Sequence, residues 1–363
     1  MSLQAGIVGL PNVGKSTLFN ALTAGGAEAA NYPFATIEPN VGVVAVPDPR
    51  LDRIASIIHT KEIIPAAVEI LDIAGLVRGA SEGEGLGNQF LGHIRSVDAV
   101  LEVVRCFEDP DITHVDGSID PIRDIETIET ELILADLQVA ERRLDRLERA
   151  ARSGDKALVA ERDLVRRLVG LLDEGSPARA GKWSADETAA LNDFQMLTSR
   201  PVLYVCNVDE AGLGGNRHTA AVEEWAIGRE AAVVVICAQA EAEIAELEAA
   251  DRALFLGELG LKEPGLDTLA RTTYDLLGLR TFFTAGPKEI RGWTVPAGAT
   301  APEAAGVIHS DFQHGFIRAE VYSVDDLLAL GSESGLKAAG KLRVEGKGYV
   351  VGDGDVIHFR FNV

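Results

Sequence analysis

The residues with the clearest chemical meaning form the run Gly9-Leu-Pro-Asn-Val-Gly-Lys-Ser-Thr17. This run matches the spacing GxxxxGK[ST], in which a glycine-rich loop between a strand and a helix surrounds phosphate groups with backbone N–H groups. Lys15 is the predicted catalytic cation that reaches the β and γ phosphates, and the Ser16 hydroxyl is a predicted ligand of Mg²⁺. The predicted contacts to the nucleotide in this loop are those of Asn12, Val13, Gly14, Lys15, Ser16 and Thr17.

Two further segments predict the rest of the magnesium site. Asp72 closes the apolar run Val68-Glu-Ile-Leu-Asp72 and is followed three residues later by Gly75. An aspartate at this place holds Mg²⁺ through water, and the glycine amide senses the γ phosphate. Thr36, in Asn31-Tyr-Pro-Phe-Ala-Thr36, has the placement of a switch-loop threonine that completes the Mg²⁺ shell in the triphosphate state.

The elements that must position these residues follow an α/β pattern. Short apolar runs alternate with amphipathic stretches over residues 1–121 and resume over 199–280, which predicts one sheet domain with mostly parallel strands. Residues 122–198 interrupt it with a heptad-like apolar seam from Ile133 to Ala151, which predicts an inserted helical hairpin. Residues 281–363 mix predicted strands, among them the run Tyr349–Val351, with short helices and predict a small α+β domain.

Composition excludes several classes of protein. No apolar run is long enough for a membrane helix and no signal-peptide layout is present, so we expect a cytoplasmic protein without a membrane partner. The three cysteines lack metal-site or disulfide spacing and are expected to be buried thiols. The net charge of -22 disfavours nucleic-acid binding as a whole, but residues 131–200 carry 12 basic and 13 acidic side chains, and arginines cluster there. An RNA-facing edge on the insertion is therefore compatible with the acidic total.

These segments together resemble the YchF subfamily of Obg-like P-loop NTPases. The motifs that carry the resemblance are Gly9–Thr17, Asn31–Asn40, Asp72–Val77, Gly83–Phe90 and the ending Gly352-Asp-Gly-Asp-Val-Ile-His-Phe-Arg-Phe-Asn-Val363. The resemblance runs from end to end and implies a P-loop domain, a coiled-coil insertion and a C-terminal β-grasp (TGS) domain. It also implies a cytosolic ATPase that associates with ribosomes, with rRNA contacts expected through the insertion and the TGS domain; we expect a monomer.

The base preference is predicted from Asn207-Val-Asp-Glu210, which follows an apolar strand. GTPases of this class usually have Asn-Lys-x-Asp there, whose carboxylate accepts two hydrogen bonds from guanine. Here the lysine is absent and the acid is one methylene longer, which removes most of the discrimination for guanine. The family resembled has Asn-x-x-Glu and prefers ATP, so base contacts are predicted for Asn207, the Val208 backbone and Glu210, with GTP still possible.

The hydrolytic step requires a group other than glutamine, since Leu76 occupies the position after Asp72-Ile-Ala-Gly75. The family resembled places a histidine on a nearby mobile loop, and the matching residue is His114, which is predicted to orient or deprotonate water. By the same resemblance Asn12 is a candidate K⁺ ligand. Ala35 replaces a cysteine found in several relatives, so redox control at that position is not expected.

Two alternatives to an ATP-hydrolysing switch stay open at this stage. A GTP-specific translation GTPase differs in base preference. A nucleotide-gated binding module with negligible hydrolysis is favoured by Leu76. A P-loop small-molecule kinase is disfavoured because the insertion is a coiled-coil hairpin and not an arginine-bearing lid.

Overall fold

The computed structural model describes residues 3–24, 40–73, 86–115, 117–229 and 231–362. The described residues group into two compact units. The first contains residues 3–24, 40–42 and the described part of 70–266, and the second contains residues 43–69 and 267–362. Residues 43–69 and 267–280, which the sequence predicted in the P-loop domain, thus group with the C-terminal residues; the three-domain division stays a prediction.

The secondary structure of the described residues is as follows. The strands are β1 (Gln4–Val8), β2 (Val41–Val46), β3 (Glu62–Ile64), β4 (Ala66–Asp72), β5 (Ala99–Arg105), β6 (Val202–Asn207), β7 (Ala232–Ile236), β8 (Leu279–Ala285), β9 (Glu289–Pro296), β10 (Phe316–Ser323), β11 (Arg343–Glu345) and β12 (Asp355–Phe361). The helices are α1 (Lys15–Ala24), α2 (Pro49–Ala55), α3 (Leu86–Ser96), α4 (Pro121–Ala150), α5 (Lys156–Asp173), α6 (Ala185–Asp193), α7 (Arg217–Ile227), α8 (Ala238–Glu246), α9 (Ala249–Glu258), α10 (Gly265–Leu276), α11 (Ala301–Ile308), α12 (Ser310–His314), α13 (Val324–Leu330) and α14 (Glu333–Ala338).

The first sheet has the strand order β2-β4-β1-β5-β6-β7. Strand β5 pairs in parallel with β1 and with β6, and β6 pairs in parallel with β7. Every residue of β5 and β6 is buried, as their apolar sequences predict for strands covered on both faces. Because the carboxyl ends of parallel strands meet at one edge, the loops after β1, β5, β6 and β7 come together there.

The predicted helical hairpin is formed by α4 and α5. Helix α4 has 30 residues and is therefore about 45 Å long. A short 3₁₀ turn ends at Gly154, which adopts a left-handed conformation, and α5 follows. The heptad positions Ile133 and Ala140 are buried with Leu164 and Leu168 in one apolar cluster. The hairpin is thus closed by the seam that the sequence predicted.

The buried carboxylate of Asp136 forms hydrogen bonds with the segment that leads from the insertion back to strand β6. Asp136 of α4 accepts hydrogen bonds from the backbone N–H groups of Leu197 and Thr198 at 2.9 and 2.8 Å. The Thr198 hydroxyl adds a third hydrogen bond at 2.7 Å. These bonds satisfy buried polar groups immediately before β6 begins.

The second sheet is mixed, with the strand order β11-β10-β12-β8-β9-β3. Strands β10 and β12 are antiparallel, whereas β12 and β8 are parallel. The sequence predicted a strand over Tyr349–Val351; the structure forms only an isolated bridge between Val350 and Thr300 there. The carboxylate of Asp353, in the glycine-rich turn before β12, accepts hydrogen bonds from Arg50 of α2 and from the Thr281 backbone.

The predicted fold class is confirmed: an α/β P-loop sheet, a helical insertion and a C-terminal mixed sheet with helices. Among the described residues, no helix has both the length and the apolar character that crossing a bilayer requires.

Candidate nucleotide-binding site

The phosphate loop, residues Gly9–Ser16, connects β1 to α1 and has a backbone that requires both glycines. Gly14 has φ = 95°, a left-handed conformation, and a Cβ there would collide with the amide nitrogen of Asn207. A Cβ on Gly9 would lie 2.6 Å from the carbonyl oxygen of Val103 in β5. Asn12 has φ = 63°, which asparagine tolerates better than most residues. The loop therefore packs closely against the sheet edge, which explains the glycine spacing.

Lys15 is the first residue of α1, and its side chain is only 9% exposed. Its ammonium group donates hydrogen bonds to the carbonyl oxygens of Gly9 and Leu10, at 2.9 and 2.7 Å. Burial lowers the pKa of Lys15 to about 8, and the nearby negative charge of Asp72 partly opposes this shift. The loop thus holds a buried cation beside the N-terminus of a helix, where a phosphate group binds favourably.

The donor set around Lys15 fits the predicted magnesium ion. Ser16 is exposed at the start of α1, and Asp72 is half-buried at the end of β4, close enough to Lys15 for their charges to interact. Burial raises the pKa of Asp72, and Lys15 counteracts that rise. In the part of the chain that the structure describes, no three His, Cys, Asp or Glu side chains group into a metal site. Phosphate-bound Mg²⁺ needs only one or two carboxylates plus hydroxyl, water and phosphate oxygens, so Ser16 and Asp72 are a sufficient protein contribution.

Asn207, the last residue of β6, connects the phosphate loop to the loop after β7. Its Nδ2 donates to the Val13 carbonyl at 2.9 Å, and its Oδ1 accepts from the Ala238 N–H at 3.0 Å. The backbone N–H of Val208 donates to the Ile236 carbonyl, also across the β6–β7 edge. The contact with Ala238 was not predicted; its only sequence signal is that small residues follow the apolar strand β7.

The two acids after β6 have different roles in the structure. The carboxylate of Asp209 accepts from the N–H of Gly212 at 2.9 Å and caps the 3₁₀ turn Glu210–Gly212. Glu210 is exposed at the same strand end. Of these two carboxylates, that of Glu210 is the better candidate for the base contact, which stays a prediction.

Asn12 of the phosphate loop is joined by a hydrogen bond to the loop after β5, the loop that carries His114. The side chain of Asn12 donates to the carbonyl of Thr113 at 3.2 Å, so the phosphate loop contacts the residue next to His114. His114 itself is 7% exposed, and its Nε2 lies 2.8 Å from Oδ2 of Asp124 in α4. The expected mobile-loop histidine is thus a buried side chain paired with a carboxylate.

Arg105, the last residue of β5, organises that loop. Its side chain is fully buried and donates to the carbonyls of Phe107, Asp109 and Ile112 at 3.2, 3.2 and 2.9 Å. The guanidinium also stacks on the Phe107 ring, with its carbon 4.6 Å from the centroid. Sequence reasoning missed Arg105 and Asp124. The signal that could have identified Arg105 is its position as a charged residue at the end of the largely apolar run Ala99–Arg105.

The described part of the site thus combines Lys15, Asn12, the His114 loop and Asn207 at one edge of the first sheet. Four residues discussed for the site lie outside the described residues: Thr36, Ala35, Gly75 and Leu76. The three cysteines are buried, as expected.

Comparisons with known proteins agree with this architecture. A family described as "50S ribosome-binding GTPase" matches residues 4–137, and the YchF-GTPase_C family, described as "Protein of unknown function (DUF933)", matches residues 279–362. The chain is 55% identical to the ribosome-binding ATPase YchF of Bacillus subtilis and 53% identical to that of Escherichia coli O157:H7, in each case over all of both chains.

Solved structures of two related proteins also match this chain over almost its full length. The Schizosaccharomyces pombe YchF GTPase superposes with a TM-score of 0.89 at 37% identity, covering 99% of this chain and 98% of that one. A GTP-binding protein from Pyrococcus horikoshii OT3, at 20% identity and a TM-score of 0.61 over 99% of this chain and 100% of that one, shows the fold alone. From its full-length identity to these relatives, the chain belongs to the YchF family.

Proposed function

We propose that this chain binds ATP with Mg²⁺, hydrolyses it slowly and associates with ribosomes in a nucleotide-dependent way. The observation that carries the proposal is the phosphate loop built around buried Lys15, in a chain that matches relatives named ribosome-binding ATPases over its full length. The site residues that would hold the metal are Ser16, Asp72 and Thr36, and Mg²⁺ would neutralise phosphate charge when bound.

The preference for ATP follows from the groups at the base end of the site. A guanine-specific site needs a carboxylate that accepts from both guanine N–H donors, whereas adenine offers a single amino group there. In this chain the Asp209 carboxylate is engaged as a cap, and Glu210 is the exposed acid. Asn207, the Val208 backbone and Glu210 therefore suit adenine at least as well as guanine.

Competition between ADP and GDP for a fluorescent nucleotide tests this preference on the full chain with Mg²⁺ present. We expect ADP to compete at least as well as GDP, and Glu210→Asp to shift the ratio toward GDP by about tenfold, the order expected for one recovered hydrogen bond to a charged group. Glu223→Asp, the same change at an exposed position of α7, is the matched control. Tight GDP binding without ADP binding would make this chain a GTP-specific switch.

Hydrolysis is assigned to His114, supported by the contact between Asn12 and Thr113, which holds the histidine loop at the phosphate loop. Neutral imidazole is a suitable group to orient or deprotonate water near pH 7.

Because the amide of Asn12 donates through Nδ2, its oxygen retains the chemistry of a K⁺ ligand; turnover in K⁺ compared with Na⁺ tests that role. Single-turnover hydrolysis with and without ribosomes distinguishes this enzyme from a binding module with negligible hydrolysis.

Ribosome binding is assigned in part to the outer face of α4. Arg142, Arg146 and Arg149 are exposed and lie at helical spacing on one face. Other arginines of the hairpin are paired with acids: Arg143 with Glu161, Arg166 with Glu148 and Arg167 with Glu187. Arg142, Arg146 and Arg149, which form no ion pair among the described residues, are therefore the better candidates for contacts to rRNA phosphates.

A further inference from the structure

The second compact unit contains a cavity of about 450 Å³, lined by described residues that are not part of the nucleotide site. The lining comes from the end of β2 and the start of α2 (residues 46–50), from α10 (Arg271, Tyr274 and Asp275), from the start of β8 (residues 279–281) and from Asp353. Ligand sites in proteins usually have volumes of about 300–1,000 Å³. The cavity is therefore large enough for a small organic molecule.

Arg280 brings hydrogen-bond donors to this cavity that have no partner among the described residues. Its Nη1 donates to the Leu279 carbonyl at 2.7 Å and lies 3.8 Å from Oδ1 of Asp275, whereas Nε and Nη2 form no hydrogen bond with any described residue. A guanidinium presents its donors as a planar fork, which matches two oxygens of a phosphate or carboxylate group. Arg271 adds a second positive charge to the lining. These arginines favour an anionic ligand.

The main chain that carries Arg280 is held in place. The hydroxyl group of Tyr274, a buried residue, donates to the Arg280 carbonyl at 2.9 Å and lies 2.9 Å from the Thr281 hydroxyl oxygen. The backbone N–H of Thr281 donates to Oδ1 of Asp353 at 2.9 Å. The guanidinium of Arg280 is therefore attached to a fixed point of the cavity lining.

The aspartates that line the cavity do not favour a cation instead. Arg50 donates to both carboxylate oxygens of Asp48, at 2.9 and 2.7 Å, and to Oδ2 of Asp353 at 2.6 Å. The side chain of Asp275 is 77% exposed, so water screens its charge. These acids are thus either hydrogen-bonded to an arginine or solvated, and the groups available to a ligand are the donors of Arg280.

We propose that this cavity binds a phosphate monoester of about the size of a nucleoside monophosphate, with its phosphate group on Arg280. A phosphate monoester has three strong acceptor oxygens and a charge of about −1.5 to −2 near pH 7, so the arginines attract it more strongly than a carboxylate. The organic part of the ligand contacts the apolar side chains of the lining, which are Val46, Pro47, Pro49 and Leu279.

NMR of arginine side chains in the full chain tests the proposal at the residue concerned. The Nε–H signal of Arg280, assigned by its loss in Arg280→Lys, should shift on titration with AMP and reach half-saturation at or below about 1 mM, a weak but specific affinity. Inorganic phosphate should require a higher concentration, because it leaves most of the cavity unfilled. Adenosine, which lacks the phosphate group, should cause no saturable shift.

Each other result of these titrations overturns the proposal. No saturable shift with AMP would exclude the site, a saturable shift with adenosine would exclude phosphate recognition, and equal half-saturation by AMP and inorganic phosphate would exclude the proposed size of the ligand. The AMP titration is repeated on Lys15→Ala, in which the phosphate loop lacks its cation. The same half-saturation is expected there, and loss of the shift would place the AMP at the phosphate loop instead.

Equilibrium dialysis of AMP against variants, all carrying Lys15→Ala, measures the contribution of Arg280 to affinity. Arg280→Met should weaken AMP binding at least about tenfold, the order expected when hydrogen bonds to a charged group are lost. Arg53→Met is the matched control, since Arg53 belongs to the same unit, has a similar exposure (48% against 42%) and does not line the cavity. Unchanged affinity in Arg280→Met, or an equal loss in both variants, would overturn the proposal.

Discussion

Asn207 and Val13, 194 positions apart in sequence, are joined by a hydrogen bond of 2.9 Å from the Asn207 amide to the Val13 carbonyl. The same side chain accepts from Ala238 on its other side. The amide is 4% exposed and links the phosphate loop to two neighbouring strand ends. This residue therefore supports the shape of the phosphate loop in addition to its predicted contact with the base.

Replacing Asn207 with alanine should weaken both folding and nucleotide binding. The change leaves a buried carbonyl and a buried N–H without this partner, which costs about 1–3 kcal/mol of unfolding free energy. Because the phosphate loop loses its hydrogen bond from Asn207, we also expect ADP affinity to fall at least about tenfold. Urea denaturation and ADP titration measure the two effects, with Asn192→Ala, an exposed asparagine of α6, as control. ADP affinity within twofold of the wild type would contradict the linking role.

Replacing Asp72 with asparagine should weaken metal binding in the nucleotide complex. The amide keeps the size of the side chain but removes the negative charge that attracts Mg²⁺ and that interacts with Lys15. The Mg²⁺ concentration for half-maximal ATP turnover should rise by about tenfold or more, the order of one charged interaction. Asp52→Asn, an exposed carboxylate of α2, is the control; an unchanged Mg²⁺ requirement would remove Asp72 from the metal site.

Replacing Arg105 with methionine should loosen the loop from Cys106 to Val115. Methionine fills part of the space but removes the hydrogen bonds to three loop carbonyls. Amide protons of this loop should exchange at least about tenfold faster, because local opening then costs less free energy. Arg229→Met is the matched control, since Arg229 is an exposed arginine that also stacks on an aromatic ring, Trp225. Unchanged exchange would show that other contacts order the loop.

Reversing the charge of Arg142, Arg146 and Arg149 together should weaken ribosome binding and reduce its salt dependence. For every arginine that no longer neutralises a phosphate, the slope of log affinity against log salt falls by about 0.7–0.9, so the total decrease should be about two to three. The control reverses Glu141, Asp145 and Glu148, which occupy an adjacent face of α4. If both triple variants bind with the wild-type slope, the outer face of α4 does not contact rRNA.

Replacing Asp353 with asparagine should destabilise the second unit relative to the wild type, and this loss of stability should be larger at neutral pH than in acid. Burial pushes the pKa of Asp353 up, but hydrogen bonds from Arg50 and the Thr281 backbone outweigh it, so the pKa lies below the ordinary 3.8. The carboxylate therefore contributes stability above pH 3.8 that is lost as the pH falls through its lower folded value. We expect a loss of about 1 kcal/mol at pH 7, since the side chain is partly exposed. Denaturation at pH 7 and pH 3 should show the difference shrinking; a constant difference would exclude the charge as its cause.

Features that depend on contiguous residues could be predicted from the sequence alone. The phosphate loop was predicted because its glycines, Lys15 and Ser16 lie within one short run, and β5 and β6 because a strand buried on both faces is mostly apolar. The hairpin of α4 and α5 was predicted from its seam. The local pattern was not sufficient to predict the structure of Tyr349–Val351. This apolar run forms a single bridge, between Val350 and Thr300, and such pairing depends on a residue that is distant in the chain.

Hydrogen bonds between side chains that are distant in sequence could not be predicted before the three-dimensional structure was known. Asn207 could be assigned to the base from its motif, but its bonds to Val13 and Ala238 depend on how β6 lies beside the phosphate loop. His114 was expected on a mobile loop, and its burial against Asp124 depends on where α4 begins. Arg50 and Asp353, 303 positions apart, meet for the same reason. Hydrogen bonds act over about 3 Å in space and carry no periodic signal along the chain, so their partners follow from the packing of the elements.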